Sequence, residues 1–563
     1  MTCFLRTNFF NFSTTFASLL LLTACGGGGS SASTTPPPIA TAVNTPAPAN
    51  PVTPAPATPV SQAPSVPEFV ANEFPPSSDL QALCRTVRTD TDLNGTPRPD
   101  QQGELLHELF WLRSWMNETY LFFDQVTDRN PNDFTDVEAY FDELLVLPPT
   151  DRFSFLQSTE DFEAQFSGAP TFGYGAEFSV LNNQIPRDWR VAFTQSGSPA
   201  ESEGLTRGAR ILTIDGADFV NGNSDAEINT LVAGLFPESI GESHVFGLRY
   251  PDGTEGDITI ESTSLAIEPV NLVDVIQQGN RNVGYLHYNS FGPGTGEAQL
   301  IEAFESFSNA QIDDLVLDLR YNGGGLLFLS AQLGYMIAGP QSSNRIFYSQ
   351  EFNSRDPGRN PISGQRVDPI LFQSTTLGFT DSVTPGEDLP TVNLNRVFIL
   401  TTDRSCSASE AVLNALIGIG VEAIQIGTRT CGKATGQFPT DNCGTTFVPL
   451  HFRGVNAEGF GDYDGGFAPG QMTGVAGPVI TGCSVNDDLS APLGDPNEGQ
   501  LAAALNFAET GTCSPDAVAS AKTDEPFSKI TNLNQDDRLY QHPRMKSFDV
   551  DFGQIDLSVA DDK

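Results

Sequence analysis

Residues 405–437 read SCSASEAVLNALIGIGVEAIQIGTRTCGKATGQ, and this stretch decides how the chain is read. A serine among small residues opens an apolar run of helical character. A short strand-like run follows, then a lysine in a glycine-bordered turn. Just before the stretch, Phe398-Ile399-Leu400 has the composition of a buried strand. Ser407 is therefore expected at a strand-to-helix turn, its hydroxyl beside the helix N-terminus, where free backbone N–H groups stabilise an oxyanion. A serine hydroxyl attacks only when a neighbouring base takes its proton. None of the five histidines (His107, His244, His287, His451, His542) stands in a recognisable triad motif. Lys433 is the better candidate, because a buried lysine can lose its proton and Ser-Lys dyads are a variant of the triad logic. The competing reading is a tight helix start with Ser405 or Ser407 as its N-cap.

A second segment, Leu315-Val316-Leu317-Asp318-Leu319-Arg320-Tyr321-Asn322-Gly323-Gly324-Gly325, reads as an apolar strand ending in an asparagine and three glycines. A helix is expected from Leu326 to Ile337. Glycines after a strand let the backbone approach a ligand closely. No Gly-Lys-Ser/Thr follows, which argues against a nucleotide loop. Upstream, Val283 to Phe291 reads as a strand leading into the same core.

These segments, in this order over about 150 residues, resemble the tail-specific (C-terminal processing) serine peptidases. The matching residues are Ser407-Ala408-Ser409-Glu410, Gly432-Lys433, Gln437 and the Asp318-Leu319-Arg320 run with its Asn-Gly-Gly. The resemblance implies Ser407 as nucleophile, with Ser409 the alternative, Lys433 as general base, and Gln437 orienting the lysine. It implies oxyanion donors from Ala408 and either Gly323 or Gly324. It also implies an α/β core of the ClpP/crotonase-like kind, with no cofactor and no metal. Residues 172–222 resemble a PDZ domain. Phe172-Gly173-Tyr174-Gly175-Ala176-Glu177-Phe178 is similar to the carboxylate-binding loop and its following strand, so Tyr174, Gly175 and Ala176 are the expected peptide-binding residues. In such a module, loop N–H groups capture a terminal carboxylate while the peptide adds a strand to the sheet edge.

The N-terminus reads as a targeting segment. Phe16 to Leu22 is apolar but too short to span a bilayer, and Leu22-Thr23-Ala24-Cys25 resembles a bacterial lipoprotein signal with Cys25 lipidated. Gly26 after it leans towards the outer membrane. Four glycines and a Pro/Ala/Thr/Ser tract then form an extended tether that cannot build a core. The expected division is leader 1–24, lipidated cysteine and tether 25–70, N-terminal helical region 71–168, PDZ-like module 169–265, peptidase core 266–515 and polar tail 516–563. Seventy acidic against 29 basic residues give a net charge of −41, which argues against nucleic acid as a partner. The expected partners are protein or peptide substrates, and a membrane through the lipid.

Six cysteines remain beyond Cys3 and Cys25, an even number that suggests disulfides in an exported chain. Local spacing favours Cys431–Cys443 and Cys483–Cys513, leaving Cys84 with Cys406. Asp90 to Gly95 begins like a calcium loop, but Gln101 stands at its twelfth position and two prolines interrupt it. Two rival functions remain at this level: an inactive scaffold that binds peptide tails, and a Ser-His hydrolase, which needs a histidine beside Ser407.

Overall fold

Leu105, Leu109, Leu112 and Trp115 predict one helical face, and helix α1 (Leu105–Thr119) buries the last three of them. This is a computed structural model, and it describes residues 65–514 except 93–94, 149, 167–170, 267, 356 and 471–476, together with residue 539. The leader, Cys25, the tether as far as residue 64 and nearly all of the tail lie outside the described residues. Helix α1 stops at Thr119, and the helical pattern expected to run on through Tyr120-Leu121-Phe122-Phe123 gives way to a single 3-10 turn. Helix α2 (Val137–Glu143) starts where Asp136 accepts a bond from Ala139 N. Both helices share an apolar cluster with Phe447 and Leu450, far along the chain; Trp111 and Trp115 stack at 5.0 Å. Strand β1 (Phe155–Ser158) also leaves this region, so it is not wholly helical.

Alternating strands then build an antiparallel sheet. Its members are β2 (Ala176–Asn182), β3 (Asp188–Thr194), β4 (Arg210–Ile214), β5 (Ser243–Arg249) and β6 (Glu255–Glu261). Their order is β6-β5-β4-β3-β2, which leaves β2 on an edge. Helix α3 (Asp225–Leu235) opens on a Ser224/Glu227 capping box and closes one side of the cluster around Trp189, Ile211 and Leu231.

The remaining apolar runs do not alternate, the pattern of strands covered on both faces. Strands β7 (Val270–Gln278), β8 (Arg281–Tyr288) and β9 (Asp314–Asp318) enter the core sheet. Strand β10 (Ile346–Phe352) belongs to a smaller sheet, while β11 (Arg396–Thr401) and β12 (Glu422–Gly427) return to the large one. After them come β13 (Thr435–Gly436), β14 (Thr445–Val448), β15 (Phe452–Val455) and β16 (Gly482–Ser484). The large sheet runs β7-β8-β9-β11-β12-β16, parallel except for β7–β8. Register sets Leu286, Leu317 and Ile399 abreast on one face. That face is packed by helices α4 (Gly296–Ala310), α5 (Leu327–Ala338) and α6 (Ala408–Gly418). Tyr285, Val316, Phe398 and Ile424 face the other way, against helix α7 (Gly499–Thr510). No described helix is long and apolar enough to cross a membrane. The C-terminal ends of β9 and β11 lie side by side, the place where open α/β sheets carry their ligand crevices.

Candidate active site

Strand β11 ends at Thr401 and α6 begins at Ala408, so Ser407 is the N-cap of the helix, as both readings of the sequence require. Its backbone has φ +52° and ψ −112°, a region a non-glycine residue occupies only when its surroundings force it. Two contacts do the forcing. Ser405 Oγ donates to Leu319 O at 2.7 Å, and Cys406 N donates to Asn322 O at 3.2 Å, tying the elbow to the glycine loop beyond β9.

Glu410 is the hub of the site, and the sequence reading gave it no role. One of its oxygens, Oε2, accepts from Ser407 N at 3.0 Å and from Lys433 N at 2.8 Å. The other, Oε1, accepts from Gly432 N at 2.8 Å and Thr430 Oγ1 at 2.5 Å. Burial raises the Glu410 carboxyl above its usual value, while these four donors favour the charged form. A signal was present: Ser407-x-x-Glu410 is a capping-box spacing. The turn that delivers Lys433 needs Gly432, where φ is +85° and a Cβ would lie 2.3 Å from Asp464 O. Lys433 is buried, and its Nζ donates to Gln437 Oε1 at 2.8 Å. Gln437 is held in turn through Nε2, which donates to Phe153 O at 2.6 Å. Strand β13, pairing with β15, fixes the register of the chain just after the lysine.

Asn322 is the second unanticipated hub. Its carbonyl accepts from Ser409 Oγ at 2.9 Å, its Nδ2 donates to Tyr288 O, and its Oδ1 accepts from Gly324 N at 2.8 Å. The Ser409 hydroxyl is thus committed to the glycine loop, and the Gly324 N–H is taken. Gly324 still decides the geometry, because a Cβ there would lie 2.9 Å from Ser407 Cβ and 3.0 Å from Ala408 N. Ala408, first residue of α6, has no intrahelical acceptor for its own N–H. Behind the loop, Asp318 and Arg320 are buried together, and Arg320 Nη1 also reaches Glu498 at 2.7 Å. Burial would raise the Asp318 carboxyl, but the Arg320 guanidinium holds it well below the usual range.

Tyr174, Gly175 and Ala176 lie apart from this centre, at the start of β2. The Tyr174 side chain turns inward and donates to Gly234 O, while the carbonyls of Tyr174 and Gly175 accept from Ala200 N and Gln195 N. Arg404, three residues before Ser407, joins the two places: Nη1 donates to Phe178 O at 2.9 Å and Nη2 meets Glu177 Oε1 at 2.5 Å.

Two of the three disulfide expectations are corrected. The bonds are Cys84–Cys443, Cys406–Cys431 and Cys483–Cys513, and only the last was expected. Short spacing misled, because β14 turns Cys443 away to pair with the N-terminal region while Glu410 draws the Lys433 loop against the elbow. Cys406, Glu410 and Cys431 offer three potential metal ligands within 4.8 Å, but the two sulfurs are bonded to each other. The described histidines are engaged elsewhere: His107 with Glu104 N, His244 with Asp215, His287 with Asn271 and His451 with Phe438 N. Burial pulls His287 down to about 4 and His451 to about 3.

Residues 282–452 match peptidase family S41, and residues 110–155 match the peptidase S41 N-terminal domain. A carboxyl-terminal-processing protease of Picosynechococcus sp. is 28% identical over 248 residues, 43% of this chain and 50% of that protein. The chain therefore matches about half the length of that relative. A protein from Bacteroides fragilis assigned to the S41 proteases has a crystal structure that superposes with a TM-score of 0.54. It is 25% identical, over 71% of this chain and 97% of its own.

Proposed function

We propose that this chain, which belongs to peptidase family S41, is a serine endopeptidase of the cell envelope using a Ser407–Lys433 dyad. The observation that carries the reading is the shared Glu410 oxygen, which holds the backbone N–H of the nucleophile and that of the base at once. Lys433 Nζ takes the Ser407 proton, and Oγ attacks the scissile carbonyl. The oxyanion is held by the N–H groups of Ala408 and Gly323, since that of Gly324 serves Asn322. The ammonium of Lys433 then protonates the leaving amine, and water hydrolyses the acyl-enzyme with the lysine again as base. Gln437 aims Nζ with a neutral amide oxygen. The β2–β6 module, read as PDZ-like, receives a substrate's terminal carboxylate on the backbone of Tyr174-Gly175-Ala176 and its tail along edge strand β2. A lipid on Cys25 keeps the enzyme at the membrane.

The test is labelling with a serine-reactive fluorophosphonate, alongside turnover of an internally quenched peptide. The wild-type chain and Ser409→Ala are expected to label and cut. Ser407→Ala is expected to do neither, and Lys433→Arg to fold but not cut, because a guanidinium does not deprotonate at usable pH. Labelling of Ser407→Ala, or near-normal turnover in Lys433→Arg, would remove the dyad.

A further inference from the structure

Beyond Ser514 one residue is described, and its position is not that of a solvated tail. Leu539 is fully buried, and it belongs to the apolar cluster of the β2–β6 module with Tyr174, Trp189, Ile228 and Leu231. Phe178 and Val180 of edge strand β2 pack against that same cluster. Drawing an apolar side chain of this size from water into such a cluster is favourable. The tail begins elsewhere. Cys513, just after α7, is bonded to Cys483 on β16, the far strand of the core sheet. Twenty-four residues lie between Ser514 and Leu539, enough to span about 80–90 Å when extended.

Charge points the same way. The chain is strongly acidic, yet residues 538–546 hold Arg538, Arg544 and Lys546 and no acidic residue. The module across 171–265 carries fourteen acidic and five basic residues. Asp536 and Asp537 precede this basic run, and a basic segment is attracted to an acidic module, the more so at low ionic strength.

We propose that the C-terminal tail is an intramolecular ligand of the β2–β6 module, anchored by Leu539 and steered by its basic patch. A tethered ligand binds at a high effective concentration, so the tail holds the module until a stronger ligand displaces it. Combined with the proposed capture of substrate tails by this module, the C-terminal tail competes with substrate for the module and raises KM without touching the Ser407 elbow.

The experiment uses the full chain carrying Ser407→Ala, so that no probe is cut. A fluorescent peptide copying residues 531–546 is titrated, by anisotropy, into this chain and into the same chain with Leu539→Asp. Hydrogen exchange is followed in strands 176–261. With the resident tail released, the added peptide should bind at least tenfold more tightly, and exchange across the module should quicken. A second variant, Arg538→Glu with Arg544→Glu and Lys546→Glu, leaves the buried anchor alone and should give the same trend, lessened by salt. Equal peptide affinity and unchanged exchange in both variants would overturn the proposal. Separately, a free-acid peptide unrelated to the tail is titrated into each. If exchange responds to Leu539→Asp but that peptide binds nowhere, the tail remains the module's ligand and the reading of substrate capture fails.

Discussion

Gln437 offers Lys433 Nζ a neutral amide oxygen, and the proposed role of Lys433 as base requires that neutrality. A carboxylate in its place would favour the charged ammonium, because an opposite charge within hydrogen-bond reach stabilises the protonated form. Gln437→Glu should therefore lower kcat/KM at neutral pH by at least tenfold and move the rising limb of the pH–rate profile to higher pH. An unchanged profile would show that the side chain merely packs. Ser407, Lys433 and Gln437 could be singled out from residue type and spacing, and their proposed roles rest on that reading together with the contacts they make. Glu410 and Asn322 could not be singled out in that way. Their roles depend on which backbone N–H groups and hydroxyls converge on them, and the donors to Glu410 come from residues as far on as Lys433. Ser409, the alternative nucleophile, donates its hydroxyl to Asn322 O, which favours Ser407 in the proposed mechanism.

At the scale of elements, the elbow and the lysine turn are joined by Cys406–Cys431, which brackets the helix and strand between them. A loop of this length gives about 3 kcal/mol on the chain-entropy estimate. The core sheet has its own packing on both faces, so it does not depend on this bond. Cys406→Ala with Cys431→Ala should therefore keep far-ultraviolet circular dichroism nearly unchanged while kcat falls several-fold, as Ser407 and Lys433 lose a covalent constraint beside Glu410. Equal losses of helicity and activity would make the bond a general staple instead. The strands were legible as uninterrupted apolar runs, and the two helix starts as serine- or glycine-marked boundaries. The cysteine pairing was not, because it follows from β14 pairing with β1 across 287 residues or more, and nothing local encodes that. The same pairing explains why the N-terminal region carries a strand where helix was expected.

Taken whole, the β2–β6 module meets the core through Arg207, bonded to Tyr321 and Asp487, and through Arg404, three residues before Ser407. Arg404 lies on the elbow itself and grips β2 twice, at the Phe178 carbonyl and the Glu177 carboxylate. Its guanidinium also stands 5.6 Å from the Tyr321 ring, which precedes the glycine loop. In the proposed mode of binding, a peptide laid along β2 would act through Arg404 on both the elbow and the loop after Tyr321. Anchoring a substrate by its terminal carboxylate lowers the entropic cost of placing the scissile bond, so a free-acid peptide should have a lower KM than its C-terminal amide. If Arg404 carries the coupling, Arg404→Ala, which removes both bonds, should shrink that difference by at least ~5-fold, the equivalent of about 1 kcal/mol or more. Arg404→Lys should restore little of it, since an ammonium cannot serve both acceptors with the geometry of a planar fork. The peptidase core was legible in the sequence as a resemblance, but this contact was not: Glu177 and Arg404 are 227 residues apart, and only the packed molecule makes them neighbours. Steady-state constants for the peptide pair, in wild type and both variants, decide the matter. A ratio of KM values that is the same in all three would leave Arg404 a surface link and make the module a separate tether for substrate.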